Sequence, residues 1–345
     1  MTVHAKRAVL GVGVAGLGVG EQHARAYAAT GLCQVRYLYD LDGDRSRALS
    51  VQFRAARAAE SFEQILDDPE VDIISIASYD DAHVEQLLAA LHAGKSVFVE
   101  KPLCRSMAEL EAIQRAWEAN GCRPLAVNLV LRAAPLYQRL RERIASGALG
   151  SLYAFDGDYL YGRLYKITEG WRKDVVDYSV LQGGGVHLVD LMLWLTGQRP
   201  TAVTATGNRI CTDRTAFRYP DYVAATYEFP SGLIGRITAN FGCTHRHQHV
   251  VRVFGTEATF LHDDAGARLH ASRNPATTPS LWPDAPRPAS KGDLIPEFVQ
   301  AIVQGEDRRA QTRCESDVMR VTLAADAALA QGLRVMIRSA PAHRK

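Results

Sequence analysis

The chain has 345 residues, enough for two domains of ordinary size. Hydrophobic residues make up 47% and charged residues 23%; these proportions exclude a disordered, collagenous or low-complexity chain. Forty Lys and Arg against 38 Asp and Glu leave a formal charge of +2, too even for a dedicated nucleic-acid binder, so the expected partner is a small molecule.

Near the start, Lys6-Arg7 precedes thirteen uncharged residues, Ala8 to Gly20, and then Ala24-Arg25-Ala26, a pattern similar to a signal peptide. Five of those thirteen are glycine, which suits a turn rather than an apolar helix, and the run falls short of the ~20 residues that span a bilayer. The six cysteines stand singly with no CxxC pair, as expected of reduced, mostly buried thiols. A cytoplasmic protein with no membrane partner is expected.

Strands and helices then alternate. Ala8–Ala15 reads as a strand, Glu21–Thr30 as a helix and Val35–Tyr39 as a strand ending at Asp40. Ser61 with Gln64 forms a capping box for a short helix. Asp72–Ala77 is a buried strand, His83–His92 a helix closed by Gly94, and Val97–Val99 a strand. Ser106 with Glu109 opens a helix that stops at Asn120-Gly121, and Leu125–Val127 is a further strand. This rhythm predicts βαβ units around a parallel sheet. The pattern changes near Asn128. Pro135–Ser146 is helical, Leu152–Tyr161 alternates as a strand, and Val186–Leu195 is an apolar helix closed by Gly197. Thr201 to Ala271 reads as successive antiparallel strands. Residues 274–288 hold five of the fourteen prolines, which predicts a loop and a candidate lid. Leu294–Gln304 and Ser316–Gln331 are helical. The expected fold is an α/β Rossmann dinucleotide-binding domain over residues 1–127, followed by an α+β domain over 128–345 with a large open, mostly antiparallel sheet.

Three motifs carry chemistry. Between the first strand and helix lies Gly16-Leu17-Gly18-Val19-Gly20. Glycines there permit a tight turn and let backbone N–H groups approach a pyrophosphate at a helix N-terminus. Asp40 ends the next strand, where a carboxylate hydrogen-bonds the adenosine ribose; it repels a 2′-phosphate, so NAD is favoured over NADP, although Arg45 and Arg47 lie close behind. The second motif, Glu100-Lys101-Pro102, sits at the carboxyl end of a strand, where ligands bind in open parallel sheets; a lysine there can polarise an oxygen or relay a proton. In the third, Gly183-Gly184-Gly185 opens the helix that carries His187 in its first turn, with Asp190 on the same face. Near neutral pH, histidine is the natural base for a hydroxyl proton.

In order and spacing these elements resemble the Gfo/Idh/MocA family of NAD(P)-dependent sugar and cyclitol oxidoreductases, over nearly the whole chain. Ala82-His83 and the run from Ala90 to Pro102 are similar to the family's most recognisable segment. Ser78-Tyr79 stands in the family's Thr-Pro place, and Phe298 and Ala324-Ala325 lie in helices similar to its C-terminal elements. The resemblance implies a site between the two domains, with Lys101 and His187 at the reacting hydroxyl and hydride passing between nicotinamide and a carbinol carbon. It also implies cofactor contacts from Gly16 to Gly20, Asp40, Ala77, Ser78, His83, Glu100, Lys101 and Asn128, the last near the nicotinamide. The C-terminal sheet would form a homodimer or homotetramer. Two departures stand out. The glycine loop is one residue shorter than the family's GxGxxG-xx-His spacing. Gly183 stands where many members carry an aspartate four residues before the histidine, leaving Asp177 or Asp190 as substitutes.

Further candidates are polar and basic. Arg132, Tyr161, Trp171 and Arg172 are expected at the substrate, because arginine grips anions bidentately and aromatic faces stack on sugar rings; an anionic sugar is one expectation, with Arg163 nearby. His245, His247 and His249 alternate and would share one face of a strand, but no fourth ligand accompanies them and no metal is expected. The expected function is an NAD-dependent dehydrogenase or ketoreductase of a sugar, sugar derivative or cyclitol. The alternatives are an NAD-dependent glycosidase working by transient oxidation and elimination, and a non-catalytic NAD(P)-binding sensor.

Overall fold

A computed structural model describes residues 9–338, which fall into two compact units. The first comprises residues 9–130 and Pro288–Ser316, the second residues 131–287 and 317–338.

The first unit is built on six strands: β1 (Leu10–Ala15), β2 (Cys33–Tyr39), β3 (Arg57–Ala58), β4 (Ile73–Ile76), β5 (Ser96–Val99) and β6 (Leu125–Val127). They lie in the order β3-β2-β1-β4-β5-β6 and pair in parallel throughout. β4 and β5 are buried along their whole length, as strands covered on both faces must be. The chain order reverses between β1 and β4, and a ligand crevice in such a sheet lies beyond the carboxyl ends of those strands. The expected helices form at Gly20–Ala29, Phe62–Asp67, His83–His92 and Met107–Ala119. Ser106 and Glu109 make the reciprocal capping box, and Ser61 accepts the Gln64 N–H. Ala8, at the start of the expected first strand, and Lys6-Arg7 lie outside the described residues.

One helix of the first unit does not follow from the sequence pattern. Gly43–Ser50 is capped by Asp42, whose side chain accepts the N–H groups of Asp44 and Arg45. It buries only Ser46 and Leu49, so no apolar stripe announces it.

The sequence assigns everything after residue 127 to the second domain, whereas the first unit runs to Val130 and takes back Pro288–Ser316. The physical reason is the apolar face of the helix Ile295–Gln304. Ile295, Phe298 and Val299 join Val12, Val14, Tyr27 and Phe98 in one buried cluster, with the Phe98 and Phe298 rings 5.5 Å apart. The next helix starts at Arg309 rather than Ser316 and runs to Gln331. Its Glu315 accepts the Val127 N–H at 2.7 Å, and Thr312 donates to the Leu125 carbonyl at 2.6 Å.

The second unit contains nine strands: β7 (Leu152–Leu160), β8 (Ala202–Asn208), β9 (Tyr222–Glu228), β10 (Ile234–Asn240), β11 (Gln248–Gly255), β12 (Thr259–Asp263), β13 (Gly266–His270), β14 (Ser280–Trp282) and β15 (Val335–Met336). Their order is β14-β13-β12-β11-β7-β10-β9-β8-β15. β7 and β10 pair in parallel and the other neighbours antiparallel. β14 lies inside the segment expected to be a loop; the Trp282 ring lies tilted against Phe260 at 5.3 Å, and the Arg139 guanidinium lies 4.2 Å from its ring centroid. The helix Val186–Thr196 packs on β7, where Gly157 allows Leu188 to approach the strand backbone. Arg236 bonds Asp156 and Asp158, and Arg252 bonds Asp158, linking β10, β7 and β11. No helix among the described residues is long and apolar enough to cross a membrane.

Candidate functional site

In the first unit, the glycine turn follows β1. Gly16 has φ +80°, and a β-carbon there would lie 2.3 Å from the Ser78 nitrogen, so only glycine fits. At Gly18 a β-carbon would meet no described heavy atom within 4 Å. Its lack of a side chain leaves open space beside the helix N-terminus, as a pyrophosphate requires. Gly20 has a packing role, because a β-carbon there would press on Val14. Val19 is the helix N-cap residue, Leu17 is buried, and Asp40 accepts the Leu17 N–H at 2.6 Å. Asp40 thus braces the turn while standing where a ribose-binding carboxylate belongs.

Beyond β5 and β6 lies a buried polar network. Asn128 Nδ2 donates to Glu100 at 2.6 Å and to the Lys291 carbonyl at 2.8 Å. His23 Nε2 lies 3.3 Å from the same Glu100 oxygen, and its Nδ1 is 3.0 Å from Ser75 Oγ. Burial alone would raise the Glu100 carboxyl; the His23 hydrogen bond and charge, with the Lys291 and Lys101 ammoniums, bring it down to about 2. It is therefore an anion at neutral pH. Asn128 Oδ1 is buried and has no hydrogen-bond partner among the described residues. An orphaned buried acceptor is costly, and a carboxamide N–H from a nicotinamide would satisfy it. The open turn, Asp40 and this acceptor together fit a dinucleotide.

His83, expected at the cofactor, lies behind the loops after β4 and β5. It is fully buried, with Nδ1 2.8 Å from the Pro102 carbonyl and Nε2 3.1 Å from the Ser78 carbonyl. It clamps the loops after β4 and β5 from beneath. Ala77 and Ser78 follow β4 beside Gly16, and the Ser78 hydroxyl donates to Gln86 at 2.7 Å. Gln22 and Lys291 were not anticipated. Gln22 accepts the Lys291 N–H at 2.9 Å and thereby holds the returning segment against the first helix. Of this network the sequence marks Glu100 and Asn128, through the Glu100-Lys101-Pro102 motif and the family resemblance; nothing in it marks Gln22 or Lys291.

In the second unit, a π-turn at Leu181–Gly185 leads into the helix that carries His187. His187 is buried among rings: Tyr159 stacks at 6.4 Å and His249 meets it edge-on at 5.8 Å. Tyr161 stacks on Tyr159 at 5.7 Å, and His247 touches both tyrosines at 5.2 Å. The Arg163 guanidinium lies over Tyr161, and that of Arg172 over Trp171 at 4.4 Å. Burial drives the Tyr159 hydroxyl strongly upward, so it is neutral and can donate.

His245 departs from the alternation expected of the three histidines. β11 begins only at Gln248, so His245 lies in the preceding turn and pairs with Asp264 at 2.9 Å. Among the described residues, no group of three or more His, Cys, Asp or Glu is placed to hold a metal ion. Arg132, expected at the substrate, directs its fork at Asp190, with Nη2 at 2.6 Å and Nε at 3.0 and 3.1 Å. Burial pushes the Asp190 carboxyl upward while Arg132 pulls it back. Asp190 therefore anchors the His187 helix to the Val130–Ala133 turn. Asp177 is exposed with φ +56°. The space beside Gly183 belongs to neither acid: a β-carbon there would lie 2.2 Å from the Tyr178 hydroxyl oxygen.

Residues 7–129 match the family model described as an oxidoreductase family, NAD-binding Rossmann fold, and residues 137–261 match the GFO/IDH/MocA C-terminal domain. The chain is 31% identical to inositol 2-dehydrogenase 2 of Saccharopolyspora erythraea over 62% of this chain and 60% of that protein. It is 35% identical to inositol 2-dehydrogenase of Acidothermus cellulolyticus over 57% of each. The chain thus spans less than two thirds of the length of these curated relatives. It is 28% identical to 1,5-anhydro-D-fructose reductase of Ensifer adhaerens over 68% of this chain and 70% of that one. Among solved structures, an oxidoreductase domain protein from Kribbella flavida superposes with a TM-score of 0.84 at 21% identity, over 96% of this chain and 100% of that one. Levoglucosan dehydrogenase in complex with NADH gives 0.83 at 21% identity, with the same coverage. Both sequence and fold therefore agree with the motifs, and the chain belongs to the Gfo/Idh/MocA family of oxidoreductases.

Proposed function

We propose that the protein is an NAD-dependent dehydrogenase or ketoreductase that acts on a secondary alcohol of a sugar, sugar derivative or cyclitol. The observation that carries this reading is the dinucleotide cradle of the first unit: the side-chain-free approach at Gly18 beside the helix N-terminus, with Asp40 just past the end of the neighbouring strand. Inositol 2-dehydrogenases and an anhydrofructose reductase among the relatives support the substrate class. When bound, nicotinamide supplies the hydride acceptor for alcohol oxidation.

The chain's own residues do the rest. Backbone N–H groups of the Gly16–Gly20 turn hold phosphate oxygens, and Asp40 takes ribose hydroxyls and repels a 2′-phosphate. Asn128 Oδ1 holds the carboxamide end. His187 takes the substrate hydroxyl proton as general base and returns it in the reductive direction. Lys101 polarises the same oxygen, which lowers the cost of the charge that develops there. Tyr161, Trp171 and Arg172 contact the sugar, and Arg132 supports the His187 helix through Asp190. The protein is read as cytoplasmic and as a homodimer or homotetramer through the second unit's sheet, a state that light scattering measures directly.

The test is to add NAD and a panel of myo-inositol, levoglucosan, glucose and glucuronate, and to follow NADH absorbance. His187→Ala and Lys101→Ala should each lower turnover by about 100-fold or more. No NADH with any of the panel, or near-full turnover by His187→Ala, would sink the reading. Glycoside cleavage without net NADH would favour the oxidation–elimination alternative.

A further inference from the structure

The three glycines before His187 differ in what fills the space beside them. A β-carbon on Gly183 would lie 2.2 Å from the Tyr178 hydroxyl oxygen and 2.9 Å from its Cζ. One on Gly184 would lie 2.2 Å from Tyr159 Cε1. Such separations are far inside contact distance, so the two positions are glycine because two phenols occupy them. Gly183 stands one turn before His187, where a side chain projects near the same helix face. The polar atom delivered to that place comes from Tyr178 instead.

Tyr178 is firmly held. It is buried, and its ring meets Phe217 edge-on at 5.8 Å. The next residue, Ser179, donates to Asp326 at 2.6 Å, and Gln182 donates to the other Asp326 oxygen at 2.8 Å. The segment from Tyr178 into the π-turn is thus fixed at both ends by one carboxyl group. Backbone bonding continues the clamp, with the Gly183 N–H donating to the Ser179 carbonyl at 2.8 Å.

We propose that Tyr178 is a positioning residue for the His187 reaction, its hydroxyl taking the place of a side chain at 183 and supplying a neutral donor and acceptor there. A phenol can both give and accept a hydrogen bond, whereas a carboxylate only accepts and brings a negative charge. The polar group beside Gly183 is therefore an uncharged one. This rests on the dehydrogenase reading above.

Variants of the full chain test it, assayed with NAD and whichever of myo-inositol, levoglucosan, glucose and glucuronate the wild type oxidises fastest. Tyr178→Phe keeps the ring and removes only the hydroxyl; kcat should fall about tenfold or more while KM for NAD stays unchanged. Tyr178→Ala empties the space beside Gly183. Tyr178→Ala/Gly183→Asp should then turn over about tenfold faster than Tyr178→Ala/Gly183→Ala, because the carboxylate restores a polar group and the methyl does not. Wild-type kcat in Tyr178→Phe, or equal rates for the two double variants, overturns the inference and leaves the dehydrogenase reading intact. A wild type that oxidises none of the four overturns both.

Discussion

The Asp40 carboxylate accepts the Leu17 N–H at 2.6 Å, tying the end of β2 to the glycine turn after β1. One side chain thus shapes the glycine turn and, in the proposed role, would also take the ribose. Asp40→Ala should weaken NADH binding by about tenfold or more, since charge-assisted hydrogen bonds are each worth ~1.5–3 kcal/mol. It should also narrow the preference over NADPH, because the repelling charge is gone. Fluorescence titration with both nucleotides measures this, and an unchanged NADH affinity would count against it.

Gly16 and Gly18 separate folding from binding. Gly16→Ala places a methyl against the Ser78 backbone at positive φ and should cost on the order of 1–3 kcal/mol of stability. Gly18→Ala meets nothing within 4 Å among the described residues, so its melting temperature should match the wild type while NAD affinity falls. Equal melting temperatures for both variants, or full NAD affinity in Gly18→Ala, would refute this division.

The first unit was legible where local chemistry speaks for itself. The Ser106–Glu109 capping box, the His83–His92 helix and the β6 boundaries stand where periodicity and caps put them. The return of Ile295–Gln304 to the first unit was not legible, because an amphipathic helix announces an apolar face but not the sheet it covers. Phe298 needed Phe98, 200 residues earlier in the chain, to be placed. At the site, Asp40 and the glycines carried a signal through their spacing. Tyr178 carried none, since a tyrosine five residues before a glycine has no motif. Its hydroxyl reaches the space beside Gly183 only through the fold. Arg132 shows the converse, a residue type suited to anions that the fold commits to Asp190.

The Arg132–Asp190 pair therefore yields a stability prediction. Asp190 is 1% exposed, and removing one partner of a buried pair costs about 3–5 kcal/mol. Arg132→Ala should be destabilised by that order, and Arg132→Met/Asp190→Leu should recover most of it. Urea unfolding reads both. A stable Arg132→Ala that loses only substrate affinity would return Arg132 to the substrate.

Glu100 should make the first unit sensitive to acid. Its folded-state value of about 2 lies below the ordinary 4.5, so the folded state binds fewer protons than the unfolded one between these values. The stabilisation is fully present above about pH 4.5 and is lost as pH falls toward 2, on the order of 3 kcal/mol in total. Glu100→Gln should flatten this part of the profile. Chemical unfolding across that range measures it, and identical slopes for wild type and variant would show that Glu100 is not the group involved.

Asp326 has the opposite sign. Burial raises its carboxyl from 3.8 to about 6, against the hydrogen bonds from Ser179 and Gln182. A folded state that holds its proton more tightly than the unfolded state loses stability as pH rises, here between about pH 4 and pH 6, and the loss persists at neutral pH. Asp326→Asn keeps the shape and removes the charge, with the Asn carbonyl accepting from Gln182 and its amide donating to the Ser179 oxygen. The variant should be more stable than wild type at pH 7, by on the order of 2–3 kcal/mol before any lost hydrogen-bond strength is deducted, and the two should converge near pH 4. Melting curves at both pH values decide the matter. A variant less stable at pH 7 would mean that the ionised carboxylate, clamping Ser179 and Gln182 ahead of the His187 helix, contributes more than its burial costs.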